Sequence, residues 1–439
     1  MRQKVTTRQT CRSCGAASLV TVLELGDHYV SNFVESSDGQ QLPRAPLELI
    51  LCQQCSLLQL RHTTPSEWLY RQYWYKSGVN ASMRAALADV AARAEEVAGV
   101  RPGSSVLDIG CNDGTLLRSY RTPGIRRVGF EPAENLVREA EDGTERIIND
   151  FFHAAAVAGE KFRVITSIAM FYDLEHPNAF VADVVRCLDE EGVWVIQMSY
   201  LPLMLSQNAF DNICHEHLEY YSLTSLRPLV ERHRLALLDV ETNDVNGGSF
   251  RIYVTHAGSR LKAREGAGDR LQRMLSEEAR LGLTERRVYE EFAQRVSRIR
   301  DKVCRFVRAE VRKGKKVSVY GASTKGNTLL QYFGLDRTVI QAAAERNPDK
   351  WGKRTVGTWI PIVAEEEARR NSDWFLVLPW HFIDEFQTRE SAFLARGGKL
   401  LIPLPAPCIL DAKGRTELME GRRNQGKSEP ASTGVGRER

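Results

Sequence analysis

The 439-residue chain has no uninterrupted apolar run long enough to cross a bilayer as a helix, and its polar start, MRQKVTTRQT, is unlike a secretory signal. No membrane partner is expected, and the cytoplasm is the expected compartment. There is no dense block of one charge either: 60 Lys and Arg are interspersed with 56 Asp and Glu, for a net +4. That field is too weak for nucleic acid as the main partner. The cysteine count is odd, with two CxxC pairs and the remainder scattered, which excludes a tidy disulfide framework and suits a reducing compartment. The glycine turns lack the GxGxxG spacing for a dinucleotide pyrophosphate and the Walker spacing for ATP hydrolysis, and no HExxH pair places two histidines one helical turn apart.

What remains is a chain of ordinary globular composition, 43% apolar and 26% charged, long enough for two or three domains. Near the start, CRSCG and LCQQC are each set among short alternating, β-branched stretches. Cys11, Cys14, Cys52 and Cys55 are therefore expected to hold one tetrahedral zinc. Four thiolates leave no open position, so this metal would be structural.

ASMRAALADVAARAEEVAGV, residues 81 to 100, reads as a helix ended by RPG. Strand and helix patterns then alternate through VLDIG, GTLLRSY, RRVGFEP, FRVITSIAM and GVWVIQMSY, the spacing of an α/β fold. A charged segment of about residues 262 to 311 predicts one or two amphipathic helices, and KKVSVYGASTKGNTLLQYFG restarts a strand, glycine turn and helix. The expected units are 1–75, a zinc-binding domain; 76–240, a Rossmann-like α/β domain; 241–410, a helical connector and second α/β domain; and 411–439, a disordered tail.

VLDIGCNDGTLL puts Asp108 at a strand end, with Gly110, Asn112 and Gly114 in the turn that opens a helix. Its D-x-G-x-x-x-G pattern fits S-adenosylmethionine (SAM), whose reactive end is a sulfonium and an amino acid, better than it fits a pyrophosphate. Glu131 ends the second strand, where a carboxylate can take both ribose hydroxyls, and Asp150 follows the third, within reach of the adenine amino group.

FDNICHEHLEYY concentrates His215, Glu216 and His217 after the fifth strand. Histidine titrates near neutrality and an adjacent carboxylate can orient its ring and raise its pKa, so acid–base work is expected of this cluster. NDVNGGSFRIYV offers Asn246, Ser249 and Arg251 to a diphosphate, or is a tight hairpin turn. YGASTKGNTLL offers Lys325 near a helix start to an anion. In LYRQYWYKSGVN, Tyr73 and Tyr75 share a face if the segment is extended, as a cleft wall or as packing.

In their order along residues 11 to 408, CRSCG and CQQC, YRQYWYKSG, VLDIGCNDGTLL, FDNICHEHLEYYS, NGGSFR and YGASTKGNTLL resemble the SAM-dependent C-methyltransferases of nucleotide-linked deoxysugars. The resemblance implies a class I methyltransferase domain between a zinc domain and a C-terminal domain that helps hold the nucleotide sugar. It implies methylation of carbon 3 of a TDP-4-keto-deoxyhexose, with His217 as base, Glu216 supporting it and Tyr75 near the sugar. Arg251 and Lys325 would then contact the nucleotide. The chain departs from the family pattern at Cys214, where tyrosine is usual, and at Ala169, Asp173 and Gln197. N- or O-methylation, ketosugar reduction with NADPH, and a non-catalytic nucleotide-sugar scaffold are the competing readings; whether the chain is a monomer or a homodimer is left open.

Overall fold

The computed structural model describes residues 4–35 and 42–418. At the N-terminus, Leu19–Tyr29, Arg44–Cys52 and Leu58–Leu60 pair antiparallel. Glu219–Tyr220, from the middle of the chain, adds the fourth strand, with Glu219 opposite Gln59 and Tyr220 opposite Leu58. The HEH segment is thus tied by backbone pairing to the zinc-binding unit.

The helix Ala81–Ala98 starts at Asn80, whose side chain accepts from the Ser82 amide, and stops at Gly99, which takes the left-handed conformation that glycine adopts without steric cost. It leads into a seven-stranded sheet. The spatial order is Leu235–Asn243, Ser249–His256, Leu188–Ser199, Phe162–Ile168, Ser105–Ile109, Arg126–Phe130, Arg146–Ile148. The run from Leu188–Ser199 to Arg146–Ile148 is parallel, while Ser249–His256 runs antiparallel to both of its neighbours. Strand order reverses at Ser105–Ile109, the position beyond whose carboxyl end open α/β sheets bind ligands. The strand Ser249–His256, expected in the third unit, completes this central sheet instead.

Two amphipathic helices, Ala267–Leu281 and Arg286–Arg312, lead to a second sheet. It is built on the parallel order Ile362–Ala364, Ala343–Glu345, Val317–Tyr320, Trp374–Val377, Lys399–Ile402. Its edge is the hairpin Cys408–Asp411 with Gly414–Glu417, closed by Leu418, which is buried. Residues 411 to 418 were expected to be tail; the exposed sheet edge supplies the strand partner that their polar composition does not advertise. Residues 419–439 of that expected tail lie outside the described residues.

One apolar core continues from Leu47, Leu49 and Leu58 of the N-terminal sheet through Phe210 and Ile213 to Val319 of the C-terminal sheet and Leu330 of the helix Thr324–Phe333 that follows it. Phe33–Val34 also pairs with Arg354–Thr355 across those two units. Among the described residues no helix is long and apolar enough to cross a membrane.

Candidate active site

The two CxxC turns bring four sulfurs together. The Sγ atoms of Cys11, Cys14, Cys52 and Cys55 all lie within 4.8 Å of one another, with Cys11–Cys55 at 3.6 Å and Cys14–Cys52 at 3.5 Å. A tetrahedron with Zn–S bonds of about 2.3 Å has edges of roughly 3.8 Å, so the donor set fits zinc with little adjustment. The Gln59 amide nitrogen donates to Cys11 Sγ at 3.2 Å, which fixes a thiolate lone pair from outside the cluster.

A cleft of about 1610 Å³ opens where the three units meet. Asp108, Gly110, Asn112, Glu131 and Asp150 line one end of it. Asp108 is buried and accepts a 2.6 Å hydrogen bond from Thr166; burial and then the neighbouring Glu131 push its carboxyl up to about 7. A cation bound there would relieve that cost, which suits the ammonium end of SAM. Glu131 accepts the Asn112 amide at 2.7 Å on one oxygen and the Ala133 amide at 2.8 Å on the other, so its carboxylate is locked in orientation with lone pairs to spare. Gly110 turns at φ 74° and Asn112 at φ 52°, keeping side chains off the floor of the turn. Asn112 uses its side chain on the linker, donating to the Tyr75 carbonyl at 3.0 Å and accepting the Ser77 amide at 2.9 Å. Gly114 lies away from the cleft lining: a Cβ there would meet Arg118 at 2.8 Å and Ala140 at 3.0 Å, so it serves close packing. Asp150 is half exposed at the rim, 3.9 Å from Arg71.

The Cys214–His217 segment is a tight turn, closed by the His217 amide on the Cys214 carbonyl at 3.1 Å. A turn separates what a strand would have aligned. His215 points to the N-terminal sheet, where Nε2 meets the Ala45 carbonyl at 2.9 Å, and burial pushes its pKa down to about 4. That contact latches two units together, while the residue also lines the cleft. His217 lines the cleft, packed against Tyr172 with ring centroids 4.3 Å apart and planes tilted by 56°. Its Nδ1 is 2.7 Å from the Asn212 carbonyl. A carbonyl can only accept, so Nδ1 carries the hydrogen and Nε2 keeps the lone pair.

The expectation that a carboxylate raises the pKa of this ring is overturned: burial, then the charge of Lys325, push His217 down to about 3. Glu216 is set against Lys325 and Thr324, and burial carries its carboxyl up to about 7 despite them. Tyr73 and Tyr75 both line the cleft, where Tyr75 is 46% exposed. Asn246 and Ser249 line it too, at the turn between Leu235–Asn243 and Ser249–His256.

Arg251 is not in the cleft. Its side chain is 3% exposed, donating to Gln197 at 2.8 Å, Asp89 at 2.9 Å and Glu241 at 3.1 Å. The register that sets Arg251 opposite both Gln197 and Glu241 turns a proposed diphosphate contact into an internal ion pair. Conversely, groups given no task by the sequence reading line the cleft: Asp173, Asp211 and His381. Asp211 and Asn212 stood in plain view in FDNICHEH, but only the folded turn reveals that Asn212 orients the histidine.

Family models match the whole length of this arrangement: a zinc binding domain at 11–70, a methyltransferase domain at 78–240 and a C-methyltransferase C-terminal domain at 244–405. The C-methyltransferase NovU of Streptomyces niveus is 32% identical over 416 residues, 92% of this chain and 97% of that protein. Two solved methyltransferase structures align with part of the chain. The magnesium protoporphyrin IX methyltransferase of Synechocystis PCC 6803 with bound SAH covers 40% of this chain and 88% of its own at 15% identity and TM-score 0.34; a SAM-dependent methyltransferase from Clostridium acetobutylicum covers 40% and 92% at 14% and 0.33. Those scores add nothing to the family match. With its four-cysteine zinc site, its SAM turn and a relative matched nearly end to end, the chain belongs to the SAM-dependent C-methyltransferase family.

Proposed function

We propose that this C-methyltransferase acts on carbon 3 of a TDP-linked 4-keto-deoxyhexose through an enolate. The observation that supports this reading best is the neutral His217 held by the Asn212 carbonyl, with Nε2 as the accepting nitrogen, in the same cleft as Asp108 and Glu131. Carbon is a poor nucleophile until it loses a proton, and a carbonyl next to it makes that loss possible for an imidazole. The cleft volume of about 1610 Å³ exceeds the roughly 300–1,000 Å³ of a single-ligand pocket, which leaves room for a nucleotide sugar beside the methyl donor.

When bound, SAM supplies an electrophilic methyl group on a sulfonium. The protein's own residues have the remaining tasks. In this reading Asp108 and Glu131 hold the donor's ammonium and ribose, with Asp150 toward the adenine. His217 takes the proton from carbon 3. Tyr73 and Tyr75 flank the sugar, and Asn246 and Ser249 stand at the end where a nucleotide would lie. Water exclusion at the deeper end is supported by the burial of His217, Glu216 and Tyr172.

The test is product structure. The purified enzyme is given TDP-4-keto-6-deoxyhexose and SAM labelled with ¹³C in its methyl group, and the product is examined by mass and carbon-connectivity NMR. A labelled methyl coupled to ring carbon 3 is expected. A methyl on oxygen or nitrogen, or no turnover of any nucleotide-linked ketosugar, refutes the reading.

A further inference from the structure

Lys325 was expected to hold an anionic nucleotide, yet the fold brings it to the base. It lies in the first turn of the helix Thr324–Phe333, capped by Ser323, at the switch point of the C-terminal sheet. Its Nζ donates to the Asn212 side-chain oxygen at 2.7 Å, while the main-chain oxygen of the same residue accepts from His217 at 2.7 Å. One asparagine therefore positions both the imidazole and the ammonium. Among the described residues, Asn212 is the one hydrogen-bond partner given to Nζ, which leaves two of the three ammonium N–H bonds for a ligand at a group that lines the cleft. The charge is felt by Cys214, Glu216, His217, Asp173, Asp211 and His381, the titratable groups that surround it from three elements.

We propose that Lys325 is a catalytic residue: its ammonium donates to the carbonyl oxygen of the bound ketone and takes up the negative charge as that oxygen becomes an enolate. This rests on the enolate reading above. In the step, Nε2 of His217 receives the proton of the carbon beside the ketone, the C–H pair becomes the C=C bond, and the carbonyl π pair moves onto oxygen, where Lys325 meets it. Charges then alternate as imidazolium, enolate, ammonium. Without the enolate, imidazolium and ammonium would face each other unshielded, so the lysine keeps the base free of stray protons until the ketone is in place. Such a donor stabilises charge that exists only as the reaction proceeds.

Deuterium wash-in separates this role from nucleotide binding. Wild type, Lys325→Met and Lys325→Gln are incubated with TDP-4-keto-6-deoxyhexose and S-adenosylhomocysteine in D₂O, and exchange at the carbon beside the ketone is followed by NMR at saturating sugar. Calorimetry with S-adenosylhomocysteine confirms that each variant is folded; Gln, polar and neutral, serves if Met is not tolerated. Exchange is expected to fall at least about 100-fold, the loss typical of one oxyanion donor, with affinity for TDP alone nearly unchanged. The acid limb of the exchange profile should also move to higher pH, because removing a positive charge raises the His217 pKa. Exchange at the wild-type rate in folded variants overturns the proposal but leaves the enolate reading intact, as does a loss confined to TDP affinity. No exchange in wild type, with the methyl found on a heteroatom, overturns both.

Discussion

Replacing Arg251 with methionine discriminates between a ligand contact and an internal ion pair. The guanidinium makes three charge-assisted bonds while only 3% exposed, yet its partners are not abandoned when it leaves. Glu241 keeps Tyr253 at 2.7 Å and Arg264 at 3.0 Å, Gln197 keeps Asn243 at 3.1 Å, and Asp89 is 58% exposed and rehydrates. The cost should therefore fall below the roughly 3–5 kcal/mol seen when a buried charge is orphaned; about 2–3 kcal/mol is expected, with the Asp89 contact contributing little. For a cooperative unit the size of the central domain, that is a fall in melting temperature of roughly 5–10 °C. Differential scanning calorimetry measures it, and titration with TDP measures the competing role. A melting temperature within a degree of wild type, combined with about a tenfold or greater loss of TDP affinity, would refute the ion-pair assignment.

Three further outcomes follow from the site. Replacing His217 with asparagine should lower turnover by about 10²–10⁴ while S-adenosylhomocysteine binds normally, and an NMR titration of the His217 ring itself should show no midpoint between pH 7 and about 5, since burial and Lys325 hold it near 3, whereas Glu216 and Asp108 titrate near 7; a ring midpoint near 6.5 would contradict that environment. Exchanging Glu131 for glutamine should weaken SAM binding by roughly 10- to 100-fold through loss of charged hydrogen bonds, measured by calorimetry; unchanged affinity would remove Glu131 from the donor site. Metal analysis should find one zinc per chain, and Cys52→Ser should lose it together with melting temperature, whereas a metal-free wild type of full stability would refute the structural role.

The parts of this molecule that sequence discloses are those set by neighbours along the chain. VLDIG announces its strand by a short apolar run, and the alanine-rich run before RPG announces its helix, although the caps that bracket it, Asn80 and Gly99, came only with the structure. The CxxC turns are equally local. Arg251 failed because its environment depends on which strand lies beside it: the pairing of Leu188–Ser199 with Ser249–His256 spans some fifty residues and sets the arginine between Gln197 and Glu241. His215 and His217 part company because a turn, not a strand, carries the motif. Lys325 was recognised as a cation near a ligand, but its company became visible only once two sheets far apart in sequence shared a core.

The pairing of Glu219–Tyr220 with the zinc-bearing sheet has an evolutionary corollary. Gln59 bonds a metal-site sulfur and also stands opposite Glu219, two residues beyond His217, so the metal knuckle splints the position of the base. Chimeras that exchange residues 1–75 between relatives should inherit a misaligned catalytic turn unless residues 210–221 travel with them, making these two segments a single unit of inheritance despite the 130 and more positions that intervene.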